Sequence, residues 1–294
     1  MKLGELGEAE LVRRLLPMLP RHGLVIGPGE DDAAAWEEVG GTFTVASCDA
    51  STEGVHFDLG WQGPEDIGWR ALALALGDLA AKGARPTHGL VSISAPRDWE
   101  VDAFLGIHRG LAELAAQVGL SVVGGDTTET RGPAVIAISV LGRTRTRPLP
   151  RSSVKPGWTI AVTGPLGAAR LALDARQSLR LLPRIDEGER LNRLGLVCGD
   201  ISDGLWAELH KFEAMSGCGC DVEEELVPAA PGASRVQALT SGEEAELICA
   251  GPPNVVAAAG LTIIGTLTDA GGVVVRDAGG EPRANADRGY QHFA

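Results

Sequence analysis

Four apolar runs of this chain are followed by aspartate, three of them with glycine one or two residues before it, and this pattern restricts the fold more than any other feature. The acidic segments that follow these runs are 29–33, 47–49, 124–128 and 199–204. Short apolar runs of this kind are typical of strands, and helical spacing occupies the stretches between several of them. Strands that alternate with helices predict an α/β or α+β fold, in which ligand groups collect at strand ends.

Helical spacing in the first half is clearest at residues 64–83. Pro64 suits a first helical turn, and Gly83 suits a C-terminal stop. We predict two further helices at 5–20 and 101–118, and strands at 42–47, 120–123 and 134–141. The strand at 120–123 is expected to break at the glycines that follow it.

The basic stretch 143–151 contains two prolines and predicts a linker between two domains, 1–142 and 143–294. A chain of 294 residues is long enough for two domains. The second half is also predicted to be α/β. Its expected elements are strands at 159–163, 195–198, 261–267 and 272–275, helices at 167–175 and 203–215, and a helix that begins near Ser241.

The net charge of −13 argues against nucleic acid or an acidic membrane surface as a partner. No apolar run reaches the roughly 20 residues needed to span a bilayer, and no stretch has the pattern of a secretory leader. The five cysteines, an odd number without such a leader, are typical of reduced thiols. We therefore expect a soluble, cytoplasmic protein without a membrane or nucleic-acid partner.

A single aspartate after a strand is usually a turn former or a helix cap. Four acidic segments in one chain instead favour a cation site, because oxygen-only clusters select hard cations and magnesium bridges carboxylates to nucleotide phosphates. Asp78 adds a carboxylate inside the predicted helix 64–83. Its position fits either the edge of a solvent face or an inward carboxylate directed at a metal, with Gly77 leaving room beside it.

Several nucleotide-binding and catalytic motifs do not occur in the sequence. The dipeptide Gly-Lys is not found, which excludes the G-x-x-x-x-G-K-[ST] phosphate loop. The protein-kinase motifs and the G-x-S-x-G elbow are missing, and no G-x-G-x-x-G follows a strand. A kinase with this sequence would have to hold its phosphates with metal ions, backbone amides and a few arginines.

Taken in order, these segments resemble those of thiamine-monophosphate kinases, a family of the aminoimidazole-ribonucleotide-synthetase-like superfamily. The resemblance extends over nearly the whole chain. Its motifs are Asp-Asp-Ala at 31–33, Asp49 with Gly-Val-His-Phe at 54–57, Asp-Leu-Ala-Ala-Lys-Gly-Ala at 78–84, Gly-Gly-Asp-Thr-Thr at 124–128, Arg151 with Lys-Pro-Gly at 155–157, Asp-Ile-Ser-Asp-Gly-Leu at 200–205, Ser-Gly-Glu at 241–243 and Gly-Tyr-Gln-His-Phe at 289–293.

The resemblance implies a two-domain fold of the aminoimidazole-ribonucleotide-synthetase type. The N-terminal domain would bind metal and ATP and pair across a homodimer, and the C-terminal α/β domain would complete the nucleotide and substrate site. The implied reaction is the ATP-dependent phosphorylation of thiamine monophosphate to thiamine diphosphate, with several Mg²⁺ ions. Since the acceptor oxygen is already anionic at neutral pH, no general base is expected, and alignment and charge neutralisation would carry catalysis.

The resemblance also implies which residues form the site. The implied magnesium ligands are Asp32, Ser47, Asp49, Asp78, Asp126, Asp200 and Asp203. The implied ATP contacts are Gly125, Asp126, Arg151 and Ser202, and the implied thiamine-phosphate contacts are His56, Glu243 and Tyr290. From residue patterns alone, His56 is open to a buried structural role, Arg151 to a place in a solvated linker, and Asp200 to helix capping.

Three departures from the family pattern concern the metal loop and the acceptor site. Glu30 precedes Asp-Asp where glycine is usual, Cys48 replaces a common threonine, and Glu244-Ala245 replaces Asp-Tyr. Other ATP-using enzymes of the superfamily are alternatives, although the cysteine patterns of selenophosphate synthetase and of the hydrogenase maturation protein are missing. A non-catalytic magnesium–nucleotide sensor and a metal-dependent phosphatase are the alternatives from other classes.

Overall fold

The structure is a computed structural model that describes residues 2–283, and it contains two six-stranded sheets. The elements of the first half are α1 (Leu3–Leu6), α2 (Glu8–Leu15), β1 (Leu24–Ile26), β2 (Ala34–Glu38), β3 (Thr42–Thr52), α3 (Pro64–Ala81), β4 (Arg85–Pro96), α4 (Val101–Val118), β5 (Ser121–Thr130) and β6 (Val135–Thr144). Those of the second half are β7 (Thr159–Val162), α5 (Ala168–Asp174), α6 (Ile185–Arg193), β8 (Val197–Ile201), α7 (Leu205–Ser216), β9 (Gly219–Glu223), α8 (Arg235–Thr240), β10 (Glu244–Gly251), α9 (Pro253–Ala259), β11 (Thr262–Thr268) and β12 (Val273–Arg276). The α/β prediction is confirmed.

The first sheet has the strand order β1-β2-β3-β6-β4-β5, and only β4 and β5 are parallel neighbours. One face packs against α3 and α4, because alternate residues of β6 such as Ile136 and Ile138 are buried in their core. The residues in between point to the opposite face. There Cys48 of β3 and Leu90 of β4 are exposed and lie in register through Ser139.

The helix α3 begins as its sequence predicts, with Pro64 in the first turn and acidic residues beside it, where they favour the helix dipole. The neighbouring helix α4 lies in backbone contact with α3. A Cβ atom at Gly110 would lie only 1.7 Å from the carbonyl oxygen of Glu65, so only glycine fits at this crossing. This contact fixes α3 against the first sheet.

The second sheet has the order β12-β9-β11-β7-β10-β8, which places β8 at an edge. The last turn of α3 packs against this edge, since Ala80 and Ala81 share a buried cluster with Leu191 of α6 and Cys198 of β8. The helix α3 therefore belongs to the cores of both halves. Residues of α3, which belongs to the first half, thus contact β8, the strand that bears Asp200.

The structure corrects three predictions in the first half. Residues 5–20 are not one helix, because Gly7 separates α1 from α2 and a 3-10 turn follows at Leu16–Met18. The strand predicted at 120–123 continues as β5, because Gly124 and Gly125 pair with β4 rather than ending the strand. The segment predicted as a linker begins inside β6, which extends the first sheet to Thr144.

The structure also corrects two predictions beyond this point. Arg151 does not belong to a solvated linker: it lies in a 3-10 turn and is fully buried. No helix begins at Ser241, which instead ends α8 before the buried strand β10. Among residues 2–283, no helix combines the length and the apolar character required to cross a membrane.

Candidate active site

Three carboxylates from different parts of the chain converge where α3 meets β8. Oxygen atoms of Asp32, Asp78 and Asp200 lie within 4.8 Å of one another. Asp32 precedes β2, Asp78 lies on α3, and Asp200 lies near the end of β8. We call these three residues the carboxylate cluster. It forms because α3 packs on both sheets.

The carboxylates of α3 and β8 are tightly packed. A Cβ atom at Gly77 would come within 3.2 Å of Oδ2 of Asp200, so the glycine leaves room for Asp200. Asp78 is 6% exposed and accepts a hydrogen bond from the hydroxyl of Ser47 on β3. Of the two orientations that the sequence allowed for Asp78, the structure has the inward one.

Burial and mutual repulsion make several of these carboxylates hard to ionise. Burial, with repulsion from Asp200 and Asp32, raises the pKa of Asp49 to about 7. Burial, with repulsion from Asp49 and Asp32, likewise raises the pKa of Asp78 to about 7. Burial and the neighbouring Asp78 raise the pKa of Asp200 well above its usual range. Near neutral pH this group of side chains therefore favours a bound proton or cation.

Asp32 shifts in the opposite direction because cations surround it. Although burial opposes its ionisation, Arg151 and Lys211 lower the pKa of Asp32 to about 2. Nζ of Lys211 lies 3.4 Å from Oδ2 of Asp32 and 3.2 Å from Oδ2 of Asp203. It also lies 3.3 Å from the hydroxyl of Ser202. The lysine of α7 thus brings the Ser202–Asp203 turn to the carboxylate cluster.

Arg151 is enclosed by carboxylates. Its Nη1 lies 2.5 Å from Asp31 and 2.8 Å from Asp32, and its Nη2 lies 2.6 Å from Glu208. Burial opposes its charge, but these acids hold the pKa of Arg151 well above its ordinary value. Both Nη atoms of this buried arginine are therefore already paired with protein carboxylates, and its predicted contact with ATP stays a prediction.

A second buried cation joins the two halves of the molecule. Lys82, at the end of α3, is 1% exposed and forms an ion pair with Asp31. Its Nζ also donates a hydrogen bond to the carbonyl oxygen of Cys198 on β8, at 2.7 Å. The ion pair lies within the first half, and the hydrogen bond to Cys198 is the contact that crosses to the second sheet. Removal of either partner of the ion pair would leave an uncompensated buried charge at this junction.

One buried oxygen of the carboxylate cluster lacks a hydrogen-bond donor. Oδ1 of Asp200 has no hydrogen-bond partner within the described part of the chain, and Nη2 of Arg151 lies 3.9 Å from it. A buried, unpaired carboxylate oxygen is unfavourable unless a cation meets it. Oxygen ligands from three carboxylates, one of them unpaired, fit a hard divalent cation such as Mg²⁺.

A cleft extends from the carboxylate cluster between α3, α5 and the start of β10, and Gly77 and Asp200 line it. Its volume, including space open to solvent, is about 640 Å³. The apolar part of its lining includes Trp61, Ala73, Leu74, Leu173, Leu179 and Leu181. An apolar cleft with carboxylates at its wall suits a small ring compound that carries a phosphate to a metal site.

Arg70 of α3 and Glu243 form an ion pair that borders this cleft. Nη1 of Arg70 also donates a hydrogen bond to the carbonyl oxygen of His56, at 2.7 Å. The side chain of His56 accepts a hydrogen bond from the backbone N–H of Thr52 through Nδ1, at 3.1 Å. Burial lowers the pKa of Arg70 to about 10, which leaves it charged at neutral pH. The structure therefore brings His56 and Glu243 together around one arginine.

The departure at Glu244 has a structural role. Its Oε1 accepts hydrogen bonds from the backbone N–H groups of Gly167 and Ala169 and from the hydroxyl of Ser241, at 2.8, 3.2 and 2.6 Å. This carboxylate thus caps the first turn of α5, the helix that forms one wall of the cleft. Ala245 lines the cleft itself, where its small side chain leaves space.

Gly125 and Asp126 are not brought to the carboxylate cluster. Asp49 lies close enough to the cluster for mutual repulsion. Strand register runs from Asp49 through Ile138 and Val91 to Gly125, so three strand spacings, about 14 Å, separate Gly125 from Asp49. Asp126 is exposed on β5 at the sheet edge. Tyr290, the remaining predicted contact, lies outside the described residues.

Sequence reasoning missed the cations at the site. Lys82 and Lys211 are two of only four lysines in the chain, and the small number of lysines was the one signal that could have drawn attention to them. Their burial, however, cannot be recognised from their positions in the sequence. Asp31 and Glu208 were missed as ion-pair partners of Arg151, and Arg70 carried no motif. These residues lie far apart in the chain, and only tertiary packing brings them to the carboxylates.

The family model described as AIR synthase related protein, N-terminal domain, matches residues 30–144, which include most of the first sheet and the first three acidic segments. The first half of the chain thus contains a domain of this class. Thiamine-monophosphate kinase from Methanopyrus kandleri is 32% identical, and the alignment covers 95% of this chain and 94% of that protein. The enzyme of the same name from Bacillus subtilis is 30% identical, with 82% of each chain covered. The chain belongs to the thiamine-monophosphate kinase family.

A solved structure has the same fold over the whole chain. AaThiL complexed with AMPPCP and TMP superposes with a TM-score of 0.88 at 26% identity. The superposition covers 100% of this chain and 99% of that one. The agreement includes both sheets and therefore the junction of α3 and β8 that forms the carboxylate cluster.

Proposed function

We propose that this protein phosphorylates thiamine monophosphate with ATP and produces thiamine diphosphate and ADP. The observation that carries the proposal is the carboxylate cluster at the wall of an apolar cleft, in a chain of the thiamine-monophosphate kinase family. The related AaThiL structure is a complex with AMPPCP and TMP. AMPPCP is an ATP analogue, and TMP stands for thiamine monophosphate. The proposal therefore assigns one nucleotide and one phosphate acceptor to this site.

Magnesium fits the oxygen ligands that the cluster offers. We assign Asp32, Asp78 and Asp200 as its principal ligands, because their oxygens converge and one of them is unpaired. Ser47 donates a hydrogen bond to Asp78, and Asp49 is repelled by the aspartates of the cluster. Asp203 pairs with Lys211, which also pairs with Asp32. Ser47, Asp49 and Asp203 complete the proposed ligand set near the cluster. When bound, Mg²⁺ would neutralise the carboxylates and the phosphate oxygens.

The acceptor phosphate needs no general base, since its oxygen is anionic at neutral pH. In the proposed reaction this oxygen forms a bond to the γ-phosphorus of ATP while the bond from that phosphorus to ADP breaks. The contribution of the chain is to align the two phosphates and balance their charge. Gly125, Asp126, Arg151 and Ser202 stay the proposed ATP contacts, and His56, Glu243 and Tyr290 stay the proposed acceptor contacts.

We also propose a homodimer formed through the face of the first sheet that α3 and α4 leave open. Cys48, Leu90 and the whole of β5 through Glu129 are exposed there, and Val123 is 58% exposed. An exposed edge strand with valine side chains favours pairing with another chain.

Two smaller assignments accompany the proposal. We propose two domains, 1–142 and 143–294, supported by the separate sheets formed by β1–β6 and β7–β12, although the last two residues of β6 cross this boundary. We propose a cytoplasmic location, where ATP and magnesium are plentiful and the free cysteines stay reduced.

The function is tested by incubating the purified protein with ATP, Mg²⁺ and thiamine monophosphate and measuring thiamine diphosphate and ADP by chromatography. We expect equal amounts of both products, with formation dependent on acceptor and abolished by a chelator. ADP release without acceptor dependence would instead support the phosphatase alternative. Binding of ATP without any product would support the sensor alternative.

A further inference from the structure

The charged side chains that line the cleft beside the carboxylate cluster are mostly negative, which disfavours the binding of an anionic substrate. Three carboxylates line it, those of Asp200, Glu243 and Glu244, and among the described residues that line it Arg70 is the one with a positive charge. A phosphate group that enters this cleft is repelled by the carboxylates and attracted by one guanidinium. Arg70 is therefore placed to decide whether a phosphorylated compound is accepted.

Arg70 is held in place from one side and paired on the other. Nη1 donates to the backbone carbonyl of His56 at 2.7 Å, a contact that a ligand need not disturb. Nη2 pairs with the side chain of Glu243. Both side chains are only partly buried, with 23% and 21% of their surface exposed, so the pair can be reached from the cleft.

The ion pair lies close to the proposed metal site. The backbone N–H of Glu243 donates to the carbonyl oxygen of Ser202 at 2.7 Å, two residues after Asp200. Glu243 is also one of two described non-glycine residues with a positive φ, 57°, a conformation that is unfavourable for glutamate. Backbone strain of this kind is found at ligand sites. It indicates that the Arg70–Glu243 ion pair is one that a ligand can replace, rather than one that stabilises the fold.

We propose that Arg70 binds the phosphate of the acceptor and that Glu243 leaves the guanidinium when this phosphate arrives. The inference rests on the proposed function, whose acceptor carries a phosphate and a positively charged thiazolium ring. The guanidinium matches two phosphate oxygens in a bidentate geometry, and the released carboxylate of Glu243 is available to the positive ring. The substrate thus replaces one ion pair of the protein by two of its own, and Arg70 selects phosphorylated over unphosphorylated ligand.

The test compares the affinities of thiamine monophosphate and thiamine, which differ only in the phosphate, by titration calorimetry with Mg²⁺ present. We expect the wild-type protein to prefer the monophosphate, and Arg70→Gln to reduce this preference at least tenfold while thiamine affinity changes little. In steady state the same variant should raise KM for the acceptor and leave KM for ATP unchanged. Arg109→Gln removes a half-exposed arginine paired with Glu65 and is the matched control, with no expected change.

Arg70→Lys keeps the charge but loses the bidentate geometry, so it should show an intermediate loss, which a purely structural role would not produce. If Arg70→Gln does not fold, as judged by thermal unfolding, the lysine variant alone decides the question. An unchanged ratio of monophosphate to thiamine affinity in a folded variant overturns the role of Arg70, even where the wild type makes thiamine diphosphate. A wild type that makes no thiamine diphosphate overturns the proposed function instead, and the two failures are thus distinguishable.

Discussion

The aspartates at this site differ in pKa because their neighbours differ. Asp32 has Arg151 and Lys211 beside it, which lower its pKa to about 2, whereas Asp49 and Asp78 are surrounded mainly by other acids, and burial raises their pKa values to about 7. The carboxylates with raised pKa values, those of Asp49 and Asp78, destabilise the folded state when they are ionised. We expect them to stabilise it when a cation binds.

The first prediction at this scale concerns Asp49→Asn. The folded pKa of Asp49, about 7, lies above its ordinary value of 3.8, so the native state binds more protons between these pH values and its stability falls as pH rises. Without Mg²⁺ we expect the variant to be more stable than the wild type at pH 8 by about 2 kcal/mol, and to lose this advantage near pH 4. Urea unfolding at both pH values measures it.

Magnesium provides the control for this prediction. Added Mg²⁺ should raise the stability of the wild type at pH 8 and have a smaller effect on Asp49→Asn, since the variant loses a ligand charge. A variant that is less stable than the wild type at pH 8 in a chelator would contradict the repulsion among these carboxylates.

The second prediction concerns Asp78→Asn. Asparagine keeps the shape and the hydrogen bond from Ser47 but removes a charge from the proposed metal ligands. We expect turnover to fall by roughly 100-fold or more, a loss of about 3 kcal/mol in transition-state stabilisation, with the fold intact. Steady-state kinetics and circular dichroism check it, and normal turnover would remove Asp78 from the ligand set.

At the scale of elements, α3 carries much of the architecture, because one helix packs against both sheets and bears Arg70, Gly77 and Asp78. Its position depends on the glycine contact with α4 and on the buried ion pair at Lys82. A second element, the segment 175–184 between α5 and α6, closes the cleft from outside. Arg180 attaches this segment to α3 and α4 through Asp66 and Glu113, at 2.6 and 2.8 Å.

The third prediction is that Gly110→Ala separates α3 from α4. The added Cβ would lie 1.7 Å from the carbonyl oxygen of Glu65, so the helices must move apart and the free energy of unfolding should fall by about 3 kcal/mol. Gly271→Ala, with no atom within 4 Å of its Cβ, is the matched control and should leave stability nearly unchanged. Equal stability of both variants would contradict the backbone contact.

The fourth prediction is that Arg180→Ala loosens the segment 175–184. The side chain forms two ion pairs and lies 5.1 Å above the ring of Trp69, which together contribute about 1–2 kcal/mol. We expect faster cleavage of this segment by thermolysin and a higher KM for the acceptor. Arg193→Ala removes an exposed pair within α6 and should change neither quantity.

At the scale of the whole molecule, the first sheet has one face covered by helices and one face open. The open face contains apolar and small side chains in register across β3, β6 and β4, and the edge strand β5 is exposed. A dimer formed through this face would bury both features at once.

The fifth prediction follows from this surface. Leu90→Glu places a charge in the middle of the open face and should convert the proposed dimer to a monomer. Val39→Glu, at a fully exposed turn between β2 and β3, is the control and should stay dimeric. Sedimentation equilibrium distinguishes the two states, and a wild type that is monomeric at micromolar concentration would contradict the proposal.

Helix periodicity predicted α3 and α4 closely, because Pro64, the acidic first turn and the terminal glycines are local signals. Local signals failed where pairing with a neighbour decides the outcome. Gly124 and Gly125 suggested a break but lie within β5, and Ser241 suggested a helix start but ends one. Burial of Arg151 could not be predicted, since its partners Asp31 and Glu208 are distant in sequence.

The sequence by itself determined the fold class and the family, and it supplied Asp32, Asp78 and Asp200 as candidates, because strand-end aspartates and ordered motifs are properties of the chain. Tertiary structure alone decided which of these acids meet, which cations lie between them, and which arginine borders the cleft. Electrostatic interactions depend on distance and burial, and both arise only when α3 packs against the two sheets.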